Sequence, residues 1–177
     1  LWIKIDKTVT GFEFILAAVY IPCEGSVYHN SEIFDSLTHD LIQLRSKYNL
    51  PFCLVGDFNA ITGLLDDFMD VEDVVSDLSG FCESHDSVNV RHALEEHGFE
   101  TGIFNQDICV NNNGKQLIDI CQSFDMKIVN GRFGSDFGVG GFTCFNKNGG
   151  NSVVDYAIVS HTLFKNIIKF DVDIFDK

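Results

Sequence analysis

The sequence predicts an α/β domain in which a buried sheet carries helices on its outside. Phe12 to Pro22 is apolar and rich in branched and aromatic residues, which suits a buried strand that Pro22 stops. From Ser31 to about Tyr48, the residues Ile33, Phe34, Leu37, Leu41, Leu44 and Tyr48 recur at three- and four-residue steps, the period of a helix with one apolar face. Phe52 to Val55 follows as a second strand, so strand, helix and strand alternate as an α/β unit requires.

The helix is supported along its whole length. Glu32, Asp35, Asp40, Arg45 and Lys47 fill its polar face, acids early and bases late, with Asn30 or Ser31 as cap and Asn49-Leu50-Pro51 as the stop. After it, Phe52-Cys-Leu-Val-Gly-Asp-Phe-Asn59 reads as a buried strand that delivers polar groups at its carboxyl end. Residues two apart in an extended chain face the same side, so Asp57 and Asn59 are expected to share one spot while Phe58 turns into packing. Gly56 lets something approach the backbone there.

Further along, Thr62 to Ser87 is acidic and weakly periodic and reads as loop with one short helical turn. Arg91 to Glu96 is a short helix closed by Gly98. Asn113 caps a second helix through Leu117, Ile118, Ile120, Cys121 and Phe124, which leads into a strand at Lys127 to Val129. Glycines punctuate Gly131 to Gly141. Gly141 to Phe145 and Ser152 to Val159 form an antiparallel hairpin, His161 to Ile168 a short helix, and Phe170 to Phe175 a final strand.

Bulk properties bound the function. At 177 residues and 45% hydrophobic the chain can bury the core of a single domain. The longest apolar run, Phe14 to Cys23, is about half of what a membrane-spanning helix needs, so the chain reads as soluble with no membrane partner. Six cysteines without a CxxC pair read as reduced thiols in an intracellular setting, nuclear or cytoplasmic. The net charge of −14 opposes a simple nucleic-acid binder, because phosphate contacts are supplied by lysine and arginine. Much of it sits in Asp66, Asp67, Asp70, Glu72, Asp73, Asp77, Glu83 and Asp86, which read as a solvated loop without the pattern of an EF-hand.

Three polar positions fall near the ends of buried strands: Tyr20, Asp57 with Asn59, and Asp155 in Val-Val-Asp-Tyr-Ala-Ile-Val-Ser. Each has a plainer reading. Tyr20 fits a core tyrosine, Asp57 and Asn59 fit turn or capping residues, and Thr143 fits a β-branched strand position. Asp155, on an otherwise apolar strand, is costly to bury without a partner and points to a purpose. Each of the six histidines reads as a surface or helix residue, and His92 with His97 lacks the spacing of a zinc helix.

The order of these strings resembles the endonuclease/exonuclease/phosphatase family, most like the endonuclease domain of non-LTR retrotransposons and the related AP endonucleases. The matching strings are Val-Tyr-Ile-Pro (19 to 22), Gly-Asp-Phe-Asn-Ala with Thr-Gly (56 to 63), Asn-Gly-Lys-Gln-Leu-Ile-Asp-Ile-Cys (113 to 121), Ile-Val-Asn-Gly (128 to 131), Gly-Phe-Thr-Cys-Phe (141 to 145) and Val-Asp-Tyr-Ala-Ile-Val-Ser (154 to 160). The resemblance implies a two-sheet sandwich flanked by helices, four layers in the order α/β/β/α, and Mg2+-dependent hydrolysis of a phosphodiester in DNA. It implies that Tyr20 touches the scissile phosphate, Asp57 holds and activates the attacking water, Asn59 binds the phosphate, and Asp155 orients a catalytic histidine.

The resemblance also implies parts with no match in this sequence: a metal-binding glutamate on an earlier strand, and a closing Ser-Asp-His. Residues 1 to 177 are therefore expected to be one domain truncated at both ends, inactive alone, from a parent polypeptide that also carries a reverse transcriptase. Ile61 departs from a basic residue that many relatives carry. Two alternatives stand beside DNA nicking: a phosphoesterase for phosphoinositides or other small phosphates, and a non-catalytic remnant.

Overall fold

In the computed structural model, residues 1–68, 92, 95, 99–146 and 150–173 are described. Seven strands and three α-helices lie among them: β1 (Trp2–Ile5), α1 (Lys7–Thr10), β2 (Phe14–Tyr20), α2 (Ile33–Tyr48), β3 (Phe52–Asp57), α3 (Asn112–Ser123), β4 (Met126–Ile128), β5 (Cys144–Phe145), β6 (Asn151–Ser152) and β7 (Asp155–Ser160). The fold is mixed α/β. One five-stranded mixed sheet runs β1-β2-β3-β7-β4, and β5 with β6 forms a small second sheet. Within the large sheet only β2 and β3 are parallel, the geometry that a helical crossover such as α2 provides.

The predicted α2 forms within two residues of its expected start. Its entry is steadied by the Asn30 side chain, which accepts from the Glu32 N–H at 3.0 Å. Its exit uses Asn49 in the left-handed conformation (φ 48°), whose N–H donates to the Arg45 carbonyl, and Pro51 prevents continuation. The cap of α3 is Asn111, not Asn113: Asn111 is extended and its side-chain oxygen accepts from the Gly114 N–H. Asn113 instead turns inward and is fully buried.

Alternation decides what the sheet buries. Ile15, Ala17, Phe52, Leu54, Tyr156, Ile158, Met126 and Ile128 pack under Phe34 and Leu41 of α2 and Leu117, Ile118, Ile120 and Cys121 of α3. The other face is covered over one half by Phe12, Phe14, Phe99, Phe133, Leu163 and Phe164, a cluster with edge-on ring pairs. Over the other half it stays open. Ile3 is paired with Leu16 and Val55 with Ala157, and Ile3, Val55 and Ala18 remain exposed on that face.

Several expectations are corrected. Strand β1, absent from the sequence reading, pairs antiparallel with β2 along its whole length. The predicted hairpin forms with two-residue strands only, because the side chains of Asp107 and Thr143 take the N–H groups of Val153 and Val154. The chain then leaves the hairpin and enters the large sheet as β7. His161–Asn166 is a 3-10 helix, and residues 170–173 form no strand, while 174 and 175 lie outside the described residues. His92 and Glu95 are helical; the rest of the expected Arg91 to Glu96 helix, and most of the acidic segment, also lie outside them.

The part of the acidic segment that is described does not behave as a solvated loop. Asp67 is fully buried and meets Arg132 in a two-pronged ion pair at 2.6 and 2.9 Å, while its outer oxygen also accepts from the Ile128 N–H. Arg132 spends its remaining donors on the carbonyls of Ile128, Thr101 and Gly102. Lys127 donates to the Asp67 carbonyl and lies 4.3 Å from the Phe68 ring centroid. A buried charge with every partner satisfied costs little, but removing one partner strands the other. In urea denaturation, Asp67→Ala is expected to lower the unfolding free energy by about 3–5 kcal/mol, whereas Asp35→Ala on the exposed face of α2 should change it by less than about 1 kcal/mol.

Candidate functional site

The strand register gathers the candidate residues. Tyr20, the last residue of β2, is the parallel partner of Asp57, the last residue of β3. Asp57 is in turn the antiparallel partner of Asp155, the first residue of β7. Register partners share a face, and neighbouring strands stand about 4.8 Å apart. Tyr20, Asp57 and Asp155 therefore form one row across three strands, at the open face of the sheet.

Strand β3 runs two residues further than expected, which puts Asp57 inside the ladder. Gly56 makes this possible. Its φ is +144°, and a side chain there would meet the Val19 carbonyl oxygen at 1.9 Å. The group that approaches Gly56 is thus the backbone of the neighbouring strand. Phe58 turns into the core, as expected, and is fully buried.

Asn59 reaches the same end of the sheet by a different route from simple alternation. Its backbone is left-handed (φ 43°), and its N–H donates to the Asp57 carboxylate at 2.9 Å. Its side-chain amide donates to the carbonyl of Ile21, the residue after Tyr20, at 2.9 Å. One N–H of that amide remains for another acceptor. Four residues from three separate stretches of sequence are thereby brought together.

Tyr20 is 69% exposed, which excludes the plain reading as a core tyrosine. Asp57 has its carboxyl pushed above the ordinary value of 3.8, first by burial and further by the Asp155 charge, against the Asn59 N–H, which lowers it. Carboxylates on two register-paired residues can hold a water molecule, and the amide and phenol beside them can donate to an anion's oxygens. Asp155 stands where the sequence placed it, and its own backbone is clamped on both sides by side chains. Its N–H donates to Thr143 Oγ1 at 3.0 Å and its carbonyl accepts from Asn130 Nδ2 at 3.1 Å.

Sequence reasoning missed the residues that do this holding. Asn130 bonds Asp155 and Ala157 together, extending the short strand β4 with a side-chain amide. Asn111 and Asn113 both donate to the Asn59 carbonyl, at 3.0 and 3.2 Å, and Asn111 also accepts from the Ile61 N–H. Gly114 permits the approach, since a side chain there would stand 2.0 Å from the Ile61 carbonyl. Glu24 and His29 tie the loop after β2 to Asn113. A polar residue closing a fully buried strand, as Asn130 closes Met126 to Val129, was the signal available.

Asp57 and Asp155 do not complete a metal centre by themselves. Among the described residues, no group of three or more histidine, cysteine, aspartate or glutamate side chains is placed to hold an ion. Among the described residues there is also no helix long and apolar enough to cross a membrane. No family model matches the chain, and no curated protein or solved structure is significantly similar to it.

The raised carboxyl of Asp57 has a consequence for stability. An acid held above its unfolded value of 3.8 costs nothing while both states are protonated and destabilises the fold as pH rises through its folded value. Asp57→Asn, which can still accept from the Asn59 N–H, is expected to melt at a higher temperature than the wild type at pH 7. That gain should vanish by about pH 3. A melting temperature that falls at pH 7, or a difference independent of pH, would contradict the shift.

Proposed function

We propose that this chain carries the phosphate-facing part of a Mg2+-dependent phosphodiesterase of the endonuclease/exonuclease/phosphatase class, most like the DNA-nicking endonuclease domain of non-LTR retrotransposons. The observation that carries the proposal is the row Tyr20, Asp57 and Asp155 across adjacent strands, joined by Asn59.

In this reading Asp57 accepts a proton from the attacking water and fixes it in line with the phosphorus. Its raised basicity suits that task. The free N–H of Asn59 and the Tyr20 hydroxyl donate to the non-bridging oxygens, where charge grows as the P–O bond to the leaving group breaks. Asp155 holds a histidine that no described residue supplies at that position. Magnesium, if bound, would neutralise phosphate charge, and in this reading a reverse transcriptase in the same polypeptide is the partner.

The half-open sheet face supports the four-layer sandwich. Exposed Ile3, Ala18 and Val55 form an apolar strip that a second sheet would cover at about 10 Å. Free thiols at Cys23, Cys53, Cys109, Cys121 and Cys144 suit the reducing nucleus or cytoplasm. A second reading, a phosphoesterase for phosphoinositides or other small phosphates, is favoured by the charge of −14, which repels a long polyanion. A remnant that folds without cutting is the outcome if no substrate is turned over.

The test uses the polypeptide extended to include the glutamate strand and Ser-Asp-His. Conversion of supercoiled plasmid to open circle in magnesium is expected, with Asp57→Asn and Asn59→Ala each slowing it by a factor of about 100 to 1,000. Hydrolysis of inositol phosphates without plasmid nicking would select the second reading. Absence of both, with the variants altering nothing, would select the remnant.

A further inference from the structure

A second cavity of about 270 Å3 lies at the opposite end of the sheet. Phe52 and Ser160 in its wall are the first residue of β3 and the last of β7, so it stands one strand length, about 17 Å, from Asp57. Leu50, Pro51, Phe52 and Phe124 give it an apolar side. Arg45 and His161 stand on its polar side with Asp125.

Both Arg45 and His161 keep a nitrogen for a ligand. The Arg45 guanidinium is held 5.9 Å from the Phe124 ring centroid and forms no ion pair among the described residues. His161 is bound through Nδ1 to Asp125 Oδ2, which fixes the ring and leaves Nε2, a donor when the ring carries both protons, as the nitrogen for an anionic ligand. Asp125 is already answered on both oxygens, because its Oδ1 accepts from the buried Lys127 ammonium at 3.0 Å. Burial alone would raise its carboxyl, but the His161 bond and the Lys127 charge hold it down at about 2. The cavity thus sets an arginine without an ion-pair partner among the described residues beside a carboxylate whose oxygens are already taken.

We propose that this cavity binds a small organic carboxylate, whose oxygens meet the Arg45 guanidinium and His161 Nε2 and whose apolar body lies against Leu50, Pro51, Phe52 and Phe124. The planar fork of arginine matches a carboxylate in two parallel hydrogen bonds. A bare inorganic anion would leave the apolar wall unused. The site shares no residue with Tyr20, Asp57, Asn59 and Asp155, so it stands or falls apart from the phosphodiesterase reading.

Benzoate titrated into the 177-residue chain at about pH 6 tests it through backbone amide shifts. Saturable shifts at residues 49, 50, 52, 124–125 and 160–162 are expected. Arg45→Gln and His161→Gln should each weaken binding by about tenfold or more, while Lys47→Gln, on the same exposed helical turn, leaves it unchanged. Inorganic phosphate should bind more weakly than benzoate. The proposal is overturned by any of three results: no saturation at about 10 mM benzoate, an affinity indifferent to Arg45→Gln in a variant that melts like the wild type, or shifts centred on Tyr20 and Asp57.

Discussion

The placement of β3 between β2 and β7 is the constraint on which the rest depends. Parallel pairing on one side brings the end of β2 to Asp57, and antiparallel pairing on the other brings the start of β7 to it. A slip of one residue on either side would turn Tyr20 or Asp155 to the opposite face, into the helices. The register is held because Leu54, Ile158 and Ile15 must all enter the same core beneath α2 and α3. Burial of apolar side chains therefore fixes where the acids stand. The burial and neighbouring charge that raise the Asp57 carboxyl oppose the fold at neutral pH.

Around that row the backbone is held by amide and hydroxyl side chains in place of strand ladders. Asn111 and Asn113 grip the Asn59 carbonyl, and Asn130 and Thr143 grip the two sides of Asp155. Such side chains satisfy backbone groups where regular pairing stops, and they do so in one geometry. The end of β3 and the start of β7 are thereby held at one end of two interior strands of the sheet. This is the arrangement a hydrolytic site needs, since an ångström of freedom in a positioning group costs most of its effect.

Much of this was legible in the sequence, and the failures have local causes. The helix α2 was found because six apolar positions repeat at helical spacing over four turns, and β2 and β3 because apolar runs end at Pro22 and at polar residues. Asp57, Asn59 and Asp155 were singled out by being polar at the ends of such runs. Strand β1 was missed because Trp-Ile-Lys-Ile is too short for periodicity to show and carries a charge in its middle. Asp67 was read as solvated because its neighbours are acidic, while its partner Arg132 lies 65 residues away. The cap of α3 falls two residues earlier than expected because three asparagines stand in a row, and only the bonds that Asn111 accepts from the Gly114 and Ile61 N–H groups tell it apart from Asn113. Information of this kind lives in long-range packing, beyond what spacing along the chain records.

The central claim is that the carboxyl groups at 57 and 155 face one another across adjacent strands. A double-mutant cycle with Asp57→Asn, Asp155→Asn and the pair, read as unfolding free energies at neutral pH, measures that directly. Either substitution alone relieves the same repulsion, so the gain from both is expected to be clearly smaller than the sum of the two single gains. Strict additivity would mean that the two acids do not sense each other, and the proposed site would lose its foundation.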